Sequence, residues 1–232
     1  MASDIFSSPA RKFLNESSWV AELSEDARER VFSDVREQIV EAGGIVASKG
    51  NSAASWIGVA EGLLKISSVY RTGKVVMFSG IPEGSWVGEG SVVKRELRRY
   101  DIVAMRLSRV LHLPASTFRF LLDTSIEFNH AIISRLNERL AQYIGMMEID
   151  RLSDPIARVA RTIATLYNPV LNPHMSPILP LSQTELGELI GMSRQSVSAA
   201  LKQLEDKGLL KAGYGGLIVL KLQSLANYQE LS

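Results

Sequence analysis

The stretch SQTELGELIGMSRQSVSAALKQLEDKG, residues 182–208, decides the fold of the C-terminal third of the chain. Ser182 and Glu185 have the spacing of a capping box, in which a hydroxyl meets an orphan backbone N–H and a carboxylate reaches back. Leu186, Leu189 and Ile190 supply the inner face of a first helix. Gly191 permits the positive φ of a tight interhelical turn. Ser193 caps a second helix, whose Val197, Leu201 and Leu204 bury one side at i, i+4 and i+7. Lys207-Gly208 closes it. The opposite side carries Arg194, Gln195, Ser198, Ala199 and Lys202. Such a pair can lay its second helix in the major groove, where Arg194 pairs with guanine O6 and N7 and Gln195 with adenine. Ser182, Gln183, Thr184, Ser196 and Lys202 suit phosphates. The candidate DNA-binding set is therefore Ser182, Gln183, Thr184, Ser193, Arg194, Gln195, Ser196, Ser198 and Lys202. A helical hairpin that only packs is the competing reading, and helix-turn-helix patterns are often false. Here caps, turn glycine and inner-face spacing agree with a glycine-turned hairpin just beyond, LLKAGYGGLIVLKL (209–222), which reads as a wing.

Upstream, Asn168 to Pro180 is a loop with four prolines. Before it, Asp154 or Ser153 caps a helix with Pro155 at its first position and Ile156, Val159, Ile163 and Leu166 on one face. A long helix is expected from about Ala115 or Asp123 to Asp150. Its seam of Phe128, Ile132, Leu136, Leu140, Tyr143 and Met147 is narrow enough to pair with the same helix of a second chain. Packing on its own domain alone is the alternative. Between Gly43 and Pro114 glycines recur at short intervals around apolar runs such as Trp56-Ile57-Gly58-Val59 and Val75-Val76-Met77-Phe78, the pattern of a β-sandwich or barrel. Lys65 to Tyr70 followed by Arg71-Thr72-Gly73-Lys74 reads as a hairpin. Residues 1–40 look helical, with Ser24 starting SEDARERVFSDVREQIV and Val31, Phe32, Val35 and Ile39 on one face. The expected fold class is α+β. Residues 1–152 form a β-sandwich or barrel domain with its long helix (about 115–150), and 153–232 a winged helix-turn-helix.

Composition narrows the partners. With 232 residues and 46% hydrophobic content a sizeable core is within reach, and a net charge of +1 confines any nucleic-acid contact to a local patch. The absence of cysteine removes disulfides and cysteine-ligated iron–sulfur clusters. No apolar run approaches the roughly 18 residues of a membrane span, and MASDIFSSPARKF lacks a signal peptide's apolar core. A soluble, cytoplasmic protein with no membrane partner is expected. His112, His130 and His174 are scattered without ligand-pair spacing, so neither a metal nor haem is expected. No phosphate loop, metal cluster or Gly-x-Ser-x-Gly marks an enzyme.

On these residues the chain, from about 20 to 225, resembles the cyclic-AMP receptor / fumarate-nitrate regulator (Crp/Fnr) superfamily of bacterial transcription regulators. LSQTELGELIGMSRQSVSAALKQLEDKGLL is the specific part of the match. The resemblance implies an N-terminal cyclic-nucleotide-binding-like β-roll, a long dimerisation helix and a C-terminal winged helix-turn-helix. It further implies a homodimer on palindromic double-stranded DNA, with RNA polymerase as a further partner. The family's base-reading positions fall on Arg194, Gln195 and Ala199, where the cyclic-AMP receptors carry Arg, Glu and Arg, so the target site should differ from theirs. The stretch GSWVGEGSVVKRELRRYD (84–101) aligns with the family's phosphate-binding cassette. The resemblance puts a ribose contact on Glu89, beside Gly88, and a phosphate contact on Arg99, ten residues later. Tyr100 replaces the cassette's serine, and Tyr143-Ile144 replaces the long helix's Thr-Ser.

Those departures count against a cyclic nucleotide. An anionic or aromatic small-molecule effector near Gly88, Glu89, Arg99, Tyr100 and Tyr143 is one reading. A Glu89–Arg99 pair that only pins the roll is another. The candidate functions are an effector-gated DNA-binding regulator, a constitutive one with an empty roll, and a cyclic-nucleotide-binding module acting through protein contacts.

Overall fold

A computed structural model describes residues 9–73 and 75–229. The first eight residues of the N-terminal reading, and Lys74 of the expected hairpin turn, lie outside them. The elements run α1 (Pro9–Glu16), α2 (Ser18–Ala21), α3 (Glu25–Asp34), β1 (Arg36–Val40), β2 (Ile45–Ala47), β3 (Ser55–Glu61), β4 (Leu63–Val69), β5 (Val75–Pro82), β6 (Trp86–Val87), α4 (Glu89–Lys94), β7 (Asp101–Ala104), β8 (Ser108–Pro114), α5 (Ala115–Thr124) and α6 (Ile126–Ile149). There follow α7 (Pro155–Thr165), β9 (Ile178–Leu179), α8 (Gln183–Ile190), α9 (Arg194–Asp206), β10 (Leu210–Gly213), β11 (Gly216–Val219) and α10 (Leu222–Ala226). By its contacts the chain divides into two compact units, residues 1–137 and 138–232.

The first unit is a β-roll of two antiparallel four-stranded sheets, ordered β1-β8-β3-β6 and β2-β7-β4-β5. Strand alternation sorts its side chains. Ile57 and Val59 of β3 join Leu64, Ile66, Ile81, Ile102 and Val110 in an aliphatic cluster. Trp56 and Ala60, on the other face of β3, belong to a second cluster shared with the helices. That second cluster is aromatic. Trp56 and Trp86 lie 4.4 Å apart between ring centroids, and Trp19, Phe118 and Phe128 meet Trp56 at 5.2, 5.4 and 6.0 Å. Edge-on and tilted rings of this kind add to the stabilisation from burial alone.

The sequence places one helix end wrongly. SEDARERVFSDVREQIV is not helical throughout: α3 stops at Asp34, and Arg36–Val40 is a strand paired with β8. The three-to-four spacing of Val31, Val35 and Ile39 continues past Asp34. But Val35 is extended, and Ile39 is exposed on an edge strand. Ladder bonds to a segment some 70 residues away decide the matter, and no local signal reports them.

Of the two starts read for the long helix, the later one, near Asp123, is close to the start of α6 at Ile126, and Ala115–Thr124 is a separate helix. Ser125 breaks them in extended conformation (φ −124°, ψ 117°), and its hydroxyl accepts the Phe128 N–H at 3.1 Å, so it starts α6 afresh. The expected seam divides as well. Phe128 and Ile132 are 0% and 3% exposed, packed into the aromatic cluster of their own unit. The apolar residues left outside are Ile126, Ile133, Leu136, Leu140, Ile144 and Met147, from 37% to 70% exposed. Ile126, Ile133, Leu140 and Met147 recur every seven residues, the repeat of a coiled-coil stripe.

In the second unit Asp154, rather than Ser153, caps α7, its carboxylate accepting from Ile156 N and Ala157 N at 2.8 and 3.2 Å. The division at 137/138 lies fifteen residues before the boundary read from the sequence at Leu152. The last turns of α6 are tied to α7 and the loop after it: Asn168 donates to Glu138 at 2.7 Å, Gln142 to the Thr165 carbonyl at 3.2 Å and Arg161 to Glu148 at 3.2 Å. The wing is a three-stranded sheet, β10-β11-β9, because Ile178-Leu179 of the proline-rich loop pairs with β11.

Candidate functional site

The helix-turn-helix forms as its residues dictate. Ser182 accepts the Glu185 N–H at 3.2 Å while the Glu185 carboxylate accepts the Ser182 N–H at 2.7 Å, completing the capping box. Gly191 ends α8 at φ 73°, a conformation that favours glycine. Ser193 caps α9, accepting from Ser196 N at 3.1 Å. Val197, Ala200, Leu201 and Leu204 are buried. On the other side Arg194, Gln195, Ser196, Ser198, Ala199 and Lys202 are all exposed. Among the described residues Arg194, Gln195, Ser198 and Lys202 make no side-chain hydrogen bond or ion pair, so nothing internal competes for them. The hydroxyls of Ser193 and Ser196 bond each other at 2.9 Å. One hydroxyl proton of that pair, and that of Ser182, stay available to an acceptor outside. Thr184 is exposed and Gln183 half-buried in the first turn of α8.

Sequence reasoning passed over Tyr214. It sits fully exposed at the tip of the wing, between Gly213 and Gly215, where no packing holds an aromatic ring. Its place between turn glycines was the available signal.

The cassette departs from expectation at its arginine. Gly88 and Glu89 open α4, with Gly88 at φ 90°. Arg99 turns outward and pairs with Glu96 at 2.9 Å, so neither a Glu89–Arg99 pair nor an inward anion contact by Arg99 is formed. The paired carboxylate holds Arg99 above the ordinary guanidinium value. In turn Arg99 and Lys94 hold Glu96 down to about 2. The guanidinium beside Gly88 is that of Arg98, which is buried. Arg98 donates to the Gly88 carbonyl at 3.2 Å and to the Ser55 carbonyl. A Cβ added at Gly88 would stand 2.1 Å from Arg98 Nη1, so only glycine admits it. Burial lowers the Arg98 pKa, and Tyr100 and Glu89 oppose that shift. Its Nε has no hydrogen-bond partner. Glu89, also buried, accepts from the Trp56 indole at 3.3 Å. Tyr100 packs against the aliphatic cluster of the roll, and Tyr143 is half-buried on the part of α6 that belongs to the second unit.

An arginine–serine grip on a cyclic phosphate is not built by these residues: Arg99 faces out, and a phenol stands in the serine's place. An anion is a different matter, because the unpartnered, buried Arg98 Nε is the kind of group that an acceptor would satisfy.

A polar chain leads from Arg98 to the surface. Ser55, whose carbonyl Arg98 holds, places its Oγ 3.0 Å from His112 Nδ1, and His112 Nε2 lies 3.0 Å from Gln38 Oε1. Ser O–H donating to Nδ1 and Nε2–H donating to the amide oxygen fit a neutral ring. Burial and then the Arg98 charge lower the His112 pKa from 6.5. A depressed histidine favours the fold above its unfolded value, and the benefit is lost as pH falls from there through the folded value. Urea unfolding from pH 7.5 to 5 should therefore show stability falling below about pH 6.5, by at most about 1.4 kcal/mol per pH unit from this group. His112→Gln should flatten the slope. An unchanged slope in that variant would assign the effect elsewhere.

The comparisons with known proteins agree with this layout. Residues 157–228 match the model of the Crp-like helix-turn-helix domain and residues 37–125 that of the cyclic nucleotide-binding domain. The cAMP-activated global transcriptional regulator CRP of Salmonella typhimurium is 26% identical over 179 residues, covering 74% of this chain and 83% of that one. The cyclic AMP receptor protein of Thermus thermophilus is 26% identical over 157 residues, 68% of this chain and 71% of its own. Among solved structures, FixK2 of Bradyrhizobium japonicum superposes with a TM-score of 0.69 at 17% identity, over 85% of this chain and 98% of that one. The c-di-GMP responsive global regulator CLP of Xanthomonas campestris gives 0.62 at 21%, over 84% and 99%. The two solved structures share the fold. Among the described residues no helix is long and apolar enough to cross a membrane. A roll matched by the cyclic nucleotide-binding model, a capped helix-turn-helix matched by the Crp-like model and relatives aligned across both place the chain in the Crp/Fnr superfamily of transcription regulators.

Proposed function

We propose that the chain is a homodimeric, sequence-specific DNA-binding regulator of the cytoplasm, gated by a small anionic effector held in the roll beside Arg98. The observation that carries the DNA-binding reading is the exposed, internally unengaged face of α9, with Arg194 and Gln195 in its first turn. N-terminal residues of such a helix reach base edges. Ser182, Gln183, Thr184, Ser193, Ser196 and Lys202 orient it on phosphates, while Ser198 lies between on the groove face. Two copies paired through α6 would put two such helices on successive major grooves, about 34 Å apart, and so select a palindrome. As relatives of this kind regulate transcription, RNA polymerase is the natural further partner.

Arg194→Ala should weaken binding by about 1–3 kcal/mol and relax the preference at one guanine per half-site. Gel shifts on the selected palindrome and on random DNA check this. Equal loss on both would reduce Arg194 to a phosphate contact.

Two observations bear on the effector. The free Nε of buried Arg98 supports an anion there. Relatives named for responses to cAMP and to c-di-GMP share the fold, so the roll does not by itself fix the ligand. A constitutive regulator is the second reading, favoured by the internal partners that Arg98 and Glu89 already have. A gel shift with the purified protein, alone and with cAMP, c-di-GMP or the organic anions of a metabolite extract, separates them. Gating requires tighter binding to DNA with one of these and loss of the response in Arg98→Gln. Full-strength binding without any addition supports the constitutive reading.

A further inference from the structure

We propose that the cavity between the end of α4 and the start of α5 is a second binding site, for a small organic anion with a short apolar body. It has a volume of about 560 Å³, within the usual range of ligand pockets. Val92 and Pro114 are among its apolar lining, and Ser52, Arg95, Ser116 and Arg119 among its polar lining. Among the described residues neither guanidinium makes an ion pair or a hydrogen bond. The one carboxylate in the lining, Glu96, is taken by Arg99 and Lys94 at 2.9 and 3.0 Å, so it does not neutralise Arg95 or Arg119. The site is therefore cationic, with an apolar wall. That combination selects a phosphate or carboxylate carried on a few carbon atoms, since the guanidiniums offer paired donors and the wall gains from burial.

The walls are fixed before any ligand arrives. The loop at Gly50–Ser52 is held to the segment after α4 by Gly50 N–H to Arg98 O and Arg98 N–H to Asn51 O, both 2.8 Å, and by a bridge between Ser52 and Leu97. Ala115 N–H donates to Ala54 O at 2.8 Å on the other side. Arg95 caps α4 at φ 55°, ψ 37°, the only positive φ outside glycine among the described residues. Glycine is the usual residue at such a cap, so a guanidinium is kept here against the backbone's preference. This site is distinct from the Arg98 cradle, and its test does not depend on gating.

Phenyl phosphate is the probe, with inorganic phosphate and phenol as the charge-only and ring-only controls. Titrations of the full chain are followed by the backbone amide shifts of residues 52, 95 and 116. Phenyl phosphate should saturate with shifts centred on these three, and bind more tightly than either control. Arg95→Gly should weaken it by about tenfold or more. The same variant should melt no lower than the parent, since glycine suits the cap. Arg119→Gln should weaken binding similarly and decides the matter alone if the glycine variant misfolds. Absence of saturable shifts at these amides, or parental affinity in both variants, would overturn the site.

Discussion

Ile133→Glu with Leu140→Glu should leave a folded chain that runs at the mass of one copy and binds the palindrome at least about 100-fold more weakly. Both side chains are more than half exposed, so the fold has little to lose by the change. They occupy equivalent positions two turns apart in the stripe that also holds Ile126 and Met147. Two copies pairing through that stripe would bring four carboxylates to one apolar seam, where charge is strongly disfavoured. Losing the pair separates the two half-site contacts and with them the gain from simultaneous engagement. Light scattering gives the mass, far-UV dichroism the fold and a gel shift the affinity. A variant that stays two-chained would move the interface off this stripe.

Phe128→Ala should have the opposite signature. Phe128 is fully buried and touches Trp19, Trp56 and Phe118, at 5.3, 6.0 and 5.2 Å between centroids. Removing the ring leaves a cavity among rigid neighbours that relax poorly, at a cost of about 3–5 kcal/mol. That is a large share of the roughly 5–15 kcal/mol available to a domain. The roll should melt well below the parent in calorimetry, while the stripe on the far side of α6 keeps its composition. A loss of less than about 1 kcal/mol would mean that the aromatic cluster can collapse around the gap.

The contrast between those two variants shows what the sequence could carry. Helix-turn-helix signals are local, a cap hydroxyl, a glycine or an amide within a few residues, and each was legible at Ser182, Glu185, Gly191 and Ser193. The stripe on α6 was not. Apolar residues fall on two sides of that helix, and spacing alone merges Phe128 and Ile132 with Leu140 and Met147. Only the tertiary partner, the tryptophans of the roll, assigns the first two inward. The strand at Arg36–Val40 was hidden for the same reason, since its partner His112–Ser108 is distant in sequence.

Arg98 is a different lesson. Counting ten residues from Glu89 selects Arg99, as the family pattern suggests. The structure selects otherwise: in the bend ahead of β7 Arg98 is buried and Arg99 exposed, while Tyr100 packs with the roll's aliphatic cluster beside Ile102 and Ala104. The bend at Arg99-Tyr100, which turns one arginine in and the next out, has no signal in the spacing.

On α6, Phe128 and Ile132 serve the roll, and Ile126, Ile133, Leu140 and Met147 form the outer stripe. The remaining lane, Glu127, His130, Ser134, Asn137 and Ala141, is exposed throughout. The chain also contains no cysteine. One cysteine introduced in that lane, at Ser134 for example, would be the sole thiol of the protein. A spin label or dye placed there would report the separation of two helices without touching the residues proposed to pair them.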